Sequence, residues 1–165
     1  MNAAHGDGGE REAASRVLAR LLDPRGSIVT APDLRTFLAE TEALRGDPTT
    51  PVDGALAAGR AADRLGFAFA AGYQAAIRAL VPQVPRGSLA SFCVTEEKGN
   101  HPRQIETTAV TLGDRVTLHG KKRWSTMAPL ASLLVVIART GADEAGRPVL
   151  RAMLVPHVEM TSMKS

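Results

Sequence analysis

Aromatic residues are scarce in this sequence, at 4%, and cysteine is nearly absent. A lone thiol, Cys93, excludes an intramolecular disulfide and fits a reducing compartment. It sits in an apolar run with no histidine beside it, and so reads as a small buried hydrophobe. With so few aromatics the core must rest on Ala, Leu and Val. No apolar run approaches the ~20 residues that span a bilayer. The start, MNAAHGDGGE, has neither the basic nor the apolar stretch of a secretory signal. His5, His101, His119 and His157 are too scattered for a metal site. GDGG near the start is no phosphate loop, because no strand precedes it and no Gly-Lys-Ser/Thr follows. Stacking aromatics interleaved with basic residues are missing, which argues against nucleic acid. These absences predict a soluble, cytoplasmic protein without a metal, nucleic-acid or membrane partner.

What is present is ordinary for a globular chain: 44% hydrophobic and 22% charged among 165 residues, enough for one domain or two very small ones. The net charge of +3 is mild. It could draw a phosphate-bearing ligand, but a solvated, slightly Arg-rich surface is the simpler reading.

From Glu10 to about Leu80 the apolar period is helical. Ala14, Val17, Leu18, Leu21 and Leu22 share one face, and DPRG (Asp23 to Gly26) ends that helix. Thr30 is a candidate N-cap for the next, with Pro32 in the first turn. Leu34, Phe37, Leu38, Thr41 and Leu44 form its inner stripe. An Ala- and Gly-rich segment from Val52 to Leu80 then reads as two helices broken near Gly66, since each interior glycine costs about 1 kcal/mol.

From Ser88 the period changes. SLASFCVT reads as a short strand, and TTAVTLGDRVTLHG as a hairpin with Gly113-Asp114 at its tip. SLLVVIART reads as a strand covered on both faces, and RPVLRAMLVP as its neighbour. The predicted class is α+β: residues 1–9 a flexible N-terminus, 10–87 an α-helical domain, 88–165 an antiparallel β domain.

The ordered blocks PRG, CVTE, a polar loop, TTA, a Gly-Asp hairpin, HGKKRWST and LLVVIART resemble the acyl-CoA dehydrogenase flavoproteins over roughly Leu80 to Val155. The resemblance implies the helical N-terminal and β middle domains of that family, with FAD as cofactor. It implies that Thr95 donates to the pyrimidine edge of the isoalloxazine, that Trp124 packs by the ring, and that Thr126 donates near N5, the hydride acceptor. Thr126 is two residues beyond Trp124 and so on the same face of an extended segment. Taken alone, Trp124 reads as a core or interface aromatic, and the two threonines as ordinary strand residues; only the joint match points to flavin. The family's loop serine becomes Asn100, which can still donate and accept. Phe92, Val94 and Ser125 complete the expected cofactor-binding set.

Family Pro-Gly-Ala-Gly-Ser-Asp is here EKGNHP, Glu97 to Pro102. Glu97 and Lys98 replace small residues and reduce the room for a ligand. No glutamate matches the family's catalytic base, and the family's C-terminal helical domain has no counterpart, so no catalytic residue is assigned. The resemblance therefore implies the N-terminal part or small subunit of an FAD-dependent enzyme that α,β-dehydrogenates acyl thioesters such as acyl-CoA. Its partner would be a complementary subunit carrying the helical domain, or further copies of itself. Two alternatives stay open: a non-catalytic regulatory partner of a full-length relative, and a flavin monooxygenase of the same fold. GKKR, Gly120 to Arg123, reads as a solvated turn.

Overall fold

The computed structural model describes residues 7–23, 26–45 and 51–156. The chain divides into two compact units, Met1–Gly87 and Ser88–Ser165. The first is helical: α1 (Asp7–Leu22), α2 (Leu34–Glu40), α3 (Pro51–Arg60) and α4 (Leu65–Leu80).

Helix α1 begins at Asp7, three residues before the apolar period shows it, because the cost of glycine falls on helix interiors and Gly8 and Gly9 occupy the first turn. Of its apolar face only Val17 and Leu21 turn partly inward; Leu18 and Leu22 are exposed. Residues 1–6 lie outside the described residues. Asp33, not Thr30, caps α2: its carboxylate accepts from the Thr36 amide at 2.9 Å and from the Thr36 hydroxyl at 3.1 Å. A carboxylate at the N-cap satisfies a free amide and the positive end of the helix dipole together. Phe37, Leu38 and Thr41 of the predicted stripe are buried, whereas Leu44 falls in a 3-10 turn after α2 and is exposed.

The Ala/Gly segment does break into two helices, but at Ala61–Arg64 rather than at Gly66, which lies in the first turn of α4. Gly54 and Ala58 of α3 are buried, as are Ala70, Ala71 and Ile77 of α4. Phe37 stacks on Phe67 at 5.0 Å between centroids, and the Arg64 guanidinium lies 4.4 Å above the Phe67 ring.

The second unit is a five-stranded sheet of β1 (Ala90–Cys93), β2 (Thr108–Leu112), β3 (Arg115–His119), β4 (Leu133–Ala142) and β5 (Pro148–Pro156). The class is α+β, but the sheet is mixed rather than antiparallel. Strand β4 is central. Along one edge it pairs antiparallel with β5, with a register shift between Arg139 and Gly141. Its other edge is used twice and in parallel, by β1 against Leu133–Val136 and by β2 at Arg139. The cause is the path of the chain: β1 and β2 follow one another along that edge in the same direction, and β3 with residues 120–132 carries the chain back to where β4 starts. Val135 and Val136 are neighbours in β4 and both buried, so both faces of the sheet are covered there. The β2–β3 hairpin turns at Gly113, whose φ of +62° suits glycine.

Candidate functional site

Between β1 and β2 the chain leaves the edge of β4 and returns to it, and the excursion is the polar loop. It is organised around Glu96. The Glu96 amide donates to the Gly99 carbonyl at 2.9 Å, and the Gly99 amide donates back at 3.1 Å, closing a tight turn. Gly99 has φ +117°, open to glycine and costly for other residues. The Glu96 side chain points inward and is 5% exposed. Its carboxylate accepts from the Glu106 amide at 2.6 Å, the Thr107 amide at 3.0 Å and Lys122 Nζ at 2.7 Å. Burial pushes its pKa up. Hydrogen bonds from Lys122 and from the Glu106 and Thr107 amides outweigh that and hold it at about 2.

Lys122 belongs to the crossover from β3 to β4, so this ion pair ties the loop to the crossover. Lys122 also donates to the Val94 carbonyl at 3.1 Å, and the Arg123 amide donates to the Thr95 carbonyl at 2.7 Å. GKKR is therefore not simply a solvated turn: the Lys122 side chain is 11% exposed. Farther on, the Ser91 hydroxyl donates to the Thr126 carbonyl at 2.8 Å. Trp124 and Met127 have φ of +56° and +63°. A bulky residue in the left-handed region is a true outlier and costs of order 1–3 kcal/mol. Trp124 recovers little of that by packing, since it is 85% exposed.

The structure brings Thr95, Trp124, Ser125 and Thr126 together through these backbone ties. Thr95, Ser125 and Thr126 are half-buried. The segment from Trp124 to Met127 is not extended, however; its two left-handed residues break the alternation that would put Trp124 and Thr126 on one face. Phe92 and Val94 are half-buried, and strand alternation turns Phe92 away from Ser91, the residue that reaches the crossover. Asn100 is exposed beyond the Glu96–Gly99 turn, and among the described residues it has no hydrogen bond to the other six. Glu97 and Lys98 stand outward, paired with Arg123 at 3.0 Å and with Glu106 at 2.5 Å. Cys93 is buried, and no cluster of metal-ligating side chains occurs among the described residues. No helix among them is long and apolar enough to cross a membrane.

Sequence reasoning missed Ser91, Glu96 and Lys122 as anchors. Ser91 carried a signal, a hydroxyl in an otherwise apolar strand. Glu96 and Lys122 are 26 residues apart and carried none.

A two-unit chain, helical and then β, with its polar loop and crossover tied together beside β1, defines a class that matches known proteins. Residues 91–164 match the acyl-CoA dehydrogenase middle domain. A probable acyl-CoA dehydrogenase of Bacillus subtilis, YngJ, is 33% identical over 78 residues, which is 47% of this chain and 20% of that protein. Glutaryl-CoA dehydrogenase from Mycobacterium smegmatis shares the fold at a TM-score of 0.54 and 19% identity, over 93% of this chain and 46% of that one. An FAD complex of PigA does so at 0.53 and 17%, over 89% and 43%. The likeness to acyl-CoA dehydrogenases rests on the β unit, which carries the middle-domain match. The chain spans a fifth of the length of the Bacillus relative and less than half of either solved chain.

Proposed function

We propose that this chain forms one wall of the flavin site of an FAD-dependent oxidoreductase that α,β-dehydrogenates acyl thioesters, completed by a helical partner or by further copies. Trp124 carries the proposal. A fold accepts an exposed indole on left-handed backbone only where the surroundings impose it, and such strain concentrates at ligand sites. The residues fit a flavin: Trp124 offers an uncovered aromatic surface, and the backbones of Thr95 and Thr126, in the same cluster, are held by Arg123 and Ser91. Bound there, FAD would supply the hydride acceptor. This chain's residues would orient the ring and keep donors along its polar edge. The base that removes the α-proton would come from the partner.

The assembled protein should retain FAD, read as its yellow absorbance. Trp124→Ala should lower that retention without lowering the thermal midpoint, because little packing is lost. A colourless assembly, or a Trp124→Ala protein that holds flavin as tightly, overturns the proposal. One observation favours the second reading, a non-catalytic partner subunit. The Glu97–Arg123 and Lys98–Glu106 pairs occupy the loop where the family has small residues. A colourless assembly with a catalytically active relative would support it.

A further inference from the structure

Helix α4, LGFAFAAGYQAAIRAL, carries one charged side chain, Arg78, and is otherwise apolar on every side apart from the buried Gln74 and the Tyr73 hydroxyl. A helix that is apolar all round is built to be buried all round. In α4 only the side carrying Phe67, Ala70, Ala71, Gln74 and Ile77 is buried. The opposite side is open: Leu65 is 86% exposed, Phe69 58% and Leu80 69%. Helical spacing puts Leu65, Phe69, Gly72, Ala76 and Leu80 on one stripe, with Tyr73 at its margin. Phe69 and Tyr73 stack at 5.9 Å between centroids and so form a single ridge. Arg78 faces the other way, toward Glu42 at 3.7 Å, and the open side carries no charge.

We propose that this face docks on the same face of a second copy of the chain, the two α4 helices lying antiparallel about a two-fold axis. The stripe is self-complementary about its midpoint, between Gly72 and Tyr73. Reversed on itself, it sets Leu65 against Leu80 of the second copy and Phe69, its largest side chain, against Ala76. Gly72 then lies nearest the axis, where helices about 8–10 Å apart leave least room for side chains. A two-fold contact requires such a pattern, since each residue meets its counterpart twice; an unlike partner imposes no symmetry on one helix. Charge agrees. Neither copy brings a charge into the contact, and antiparallel helices set the positive end of each beside the negative end of the other. One helix pair is a small interface, so the dimer should form and dissociate with concentration. The proposal does not rest on the flavin reading, since none of these residues belongs to that site.

Sedimentation velocity of the full chain from about 1 µM to 1 mM tests it, and a reversible monomer–dimer equilibrium is the expected result. Gly72→Glu should weaken the dimer about tenfold or more, because it sets two like charges at the axis. Nothing lies within 4 Å of a Cβ added at Gly72, so this variant should fold and melt as the parent monomer does. Phe69→Ala should weaken the dimer as well, while Val116→Gln, at a comparably exposed apolar position in the hairpin, should not. Gly72→Cys should cross-link to its own copy under mild oxidation, since the axis brings the two positions within disulfide reach and the native Cys93 is buried. A monomer throughout, alone or holding an unlike chain on α4, overturns the proposal. So does a dimer that Gly72→Glu and Phe69→Ala leave intact.

Discussion

Replacing Glu96 by glutamine keeps the side chain's shape and removes its charge. In the native fold the carboxylate satisfies two amides and the Lys122 ammonium, all largely shielded from water. A glutamine offers one acceptor where three donors converge, and its own N–H groups face them. Breaking a buried ion pair from one side costs about 3–5 kcal/mol, because the other charge is left buried and unpaired. A fall of the Glu96 pKa from its ordinary 4.5 to about 2, caused by the same contacts, corresponds to about 3 kcal/mol at neutral pH. Glu96→Gln should therefore lose about 3 kcal/mol of stability at pH 7. The sign of the pH dependence follows. The folded pKa lies below the unfolded one, so the contribution is complete above pH 4.5 and drains away as pH falls toward about 2. Urea unfolding across that range should show the variant with a shallower acid decline than the parent and the two curves converging at low pH. The Glu106 and Thr107 amides should also exchange faster in the variant. An unchanged midpoint at pH 7, or an acid decline as steep in the variant, would refute the reasoning.

Gly120→Ala should be damaging although it adds one methyl group, because that methyl would lie 2.7 Å from the Cα of Thr107 and 2.8 Å from its Cβ. Backbone cannot yield cheaply, so a loss of about 1–3 kcal/mol is expected in thermal or urea unfolding, and an unchanged midpoint would count against the packing described. Thr126→Val keeps shape and removes a donor beside Trp124. If the flavin reading holds, stopped-flow reduction of the assembled enzyme should slow by roughly 3- to 100-fold with assembly unaffected. An unaltered rate would remove Thr126 from the site.

Local features were legible from local rules. The hairpin at Gly113-Asp114 follows from two alternating runs around a turn pair, whereas the division of Val52–Leu80, expected near Gly66 from the cost of glycine, falls at Ala61–Arg64, which has no glycine. The apolar centre of β4 announced a strand covered on both faces. Where Asp33 displaced Thr30 as a cap, two neighbouring candidates competed and the carboxylate satisfied more of the helix end. The ordered blocks from CVTE to LLVVIART fall within the residues that match the acyl-CoA dehydrogenase middle domain.

Other features depend on which segments meet, and no local pattern records that. The sheet is mixed because β1 and β2 run in one direction along one edge of β4, and β3 with the long connection after it returns the chain to the starting end. That same return places Lys122 against Glu96, turning two ordinary surface residue types into a buried pair. It also fixes Trp124 in left-handed backbone, which the extended reading of WST did not anticipate. Composition and period settle which segments become helices and strands, because those choices are made over a few residues. Charge pairing, strain and pockets arise between residues far apart in sequence, and only the tertiary fold brings them within reach.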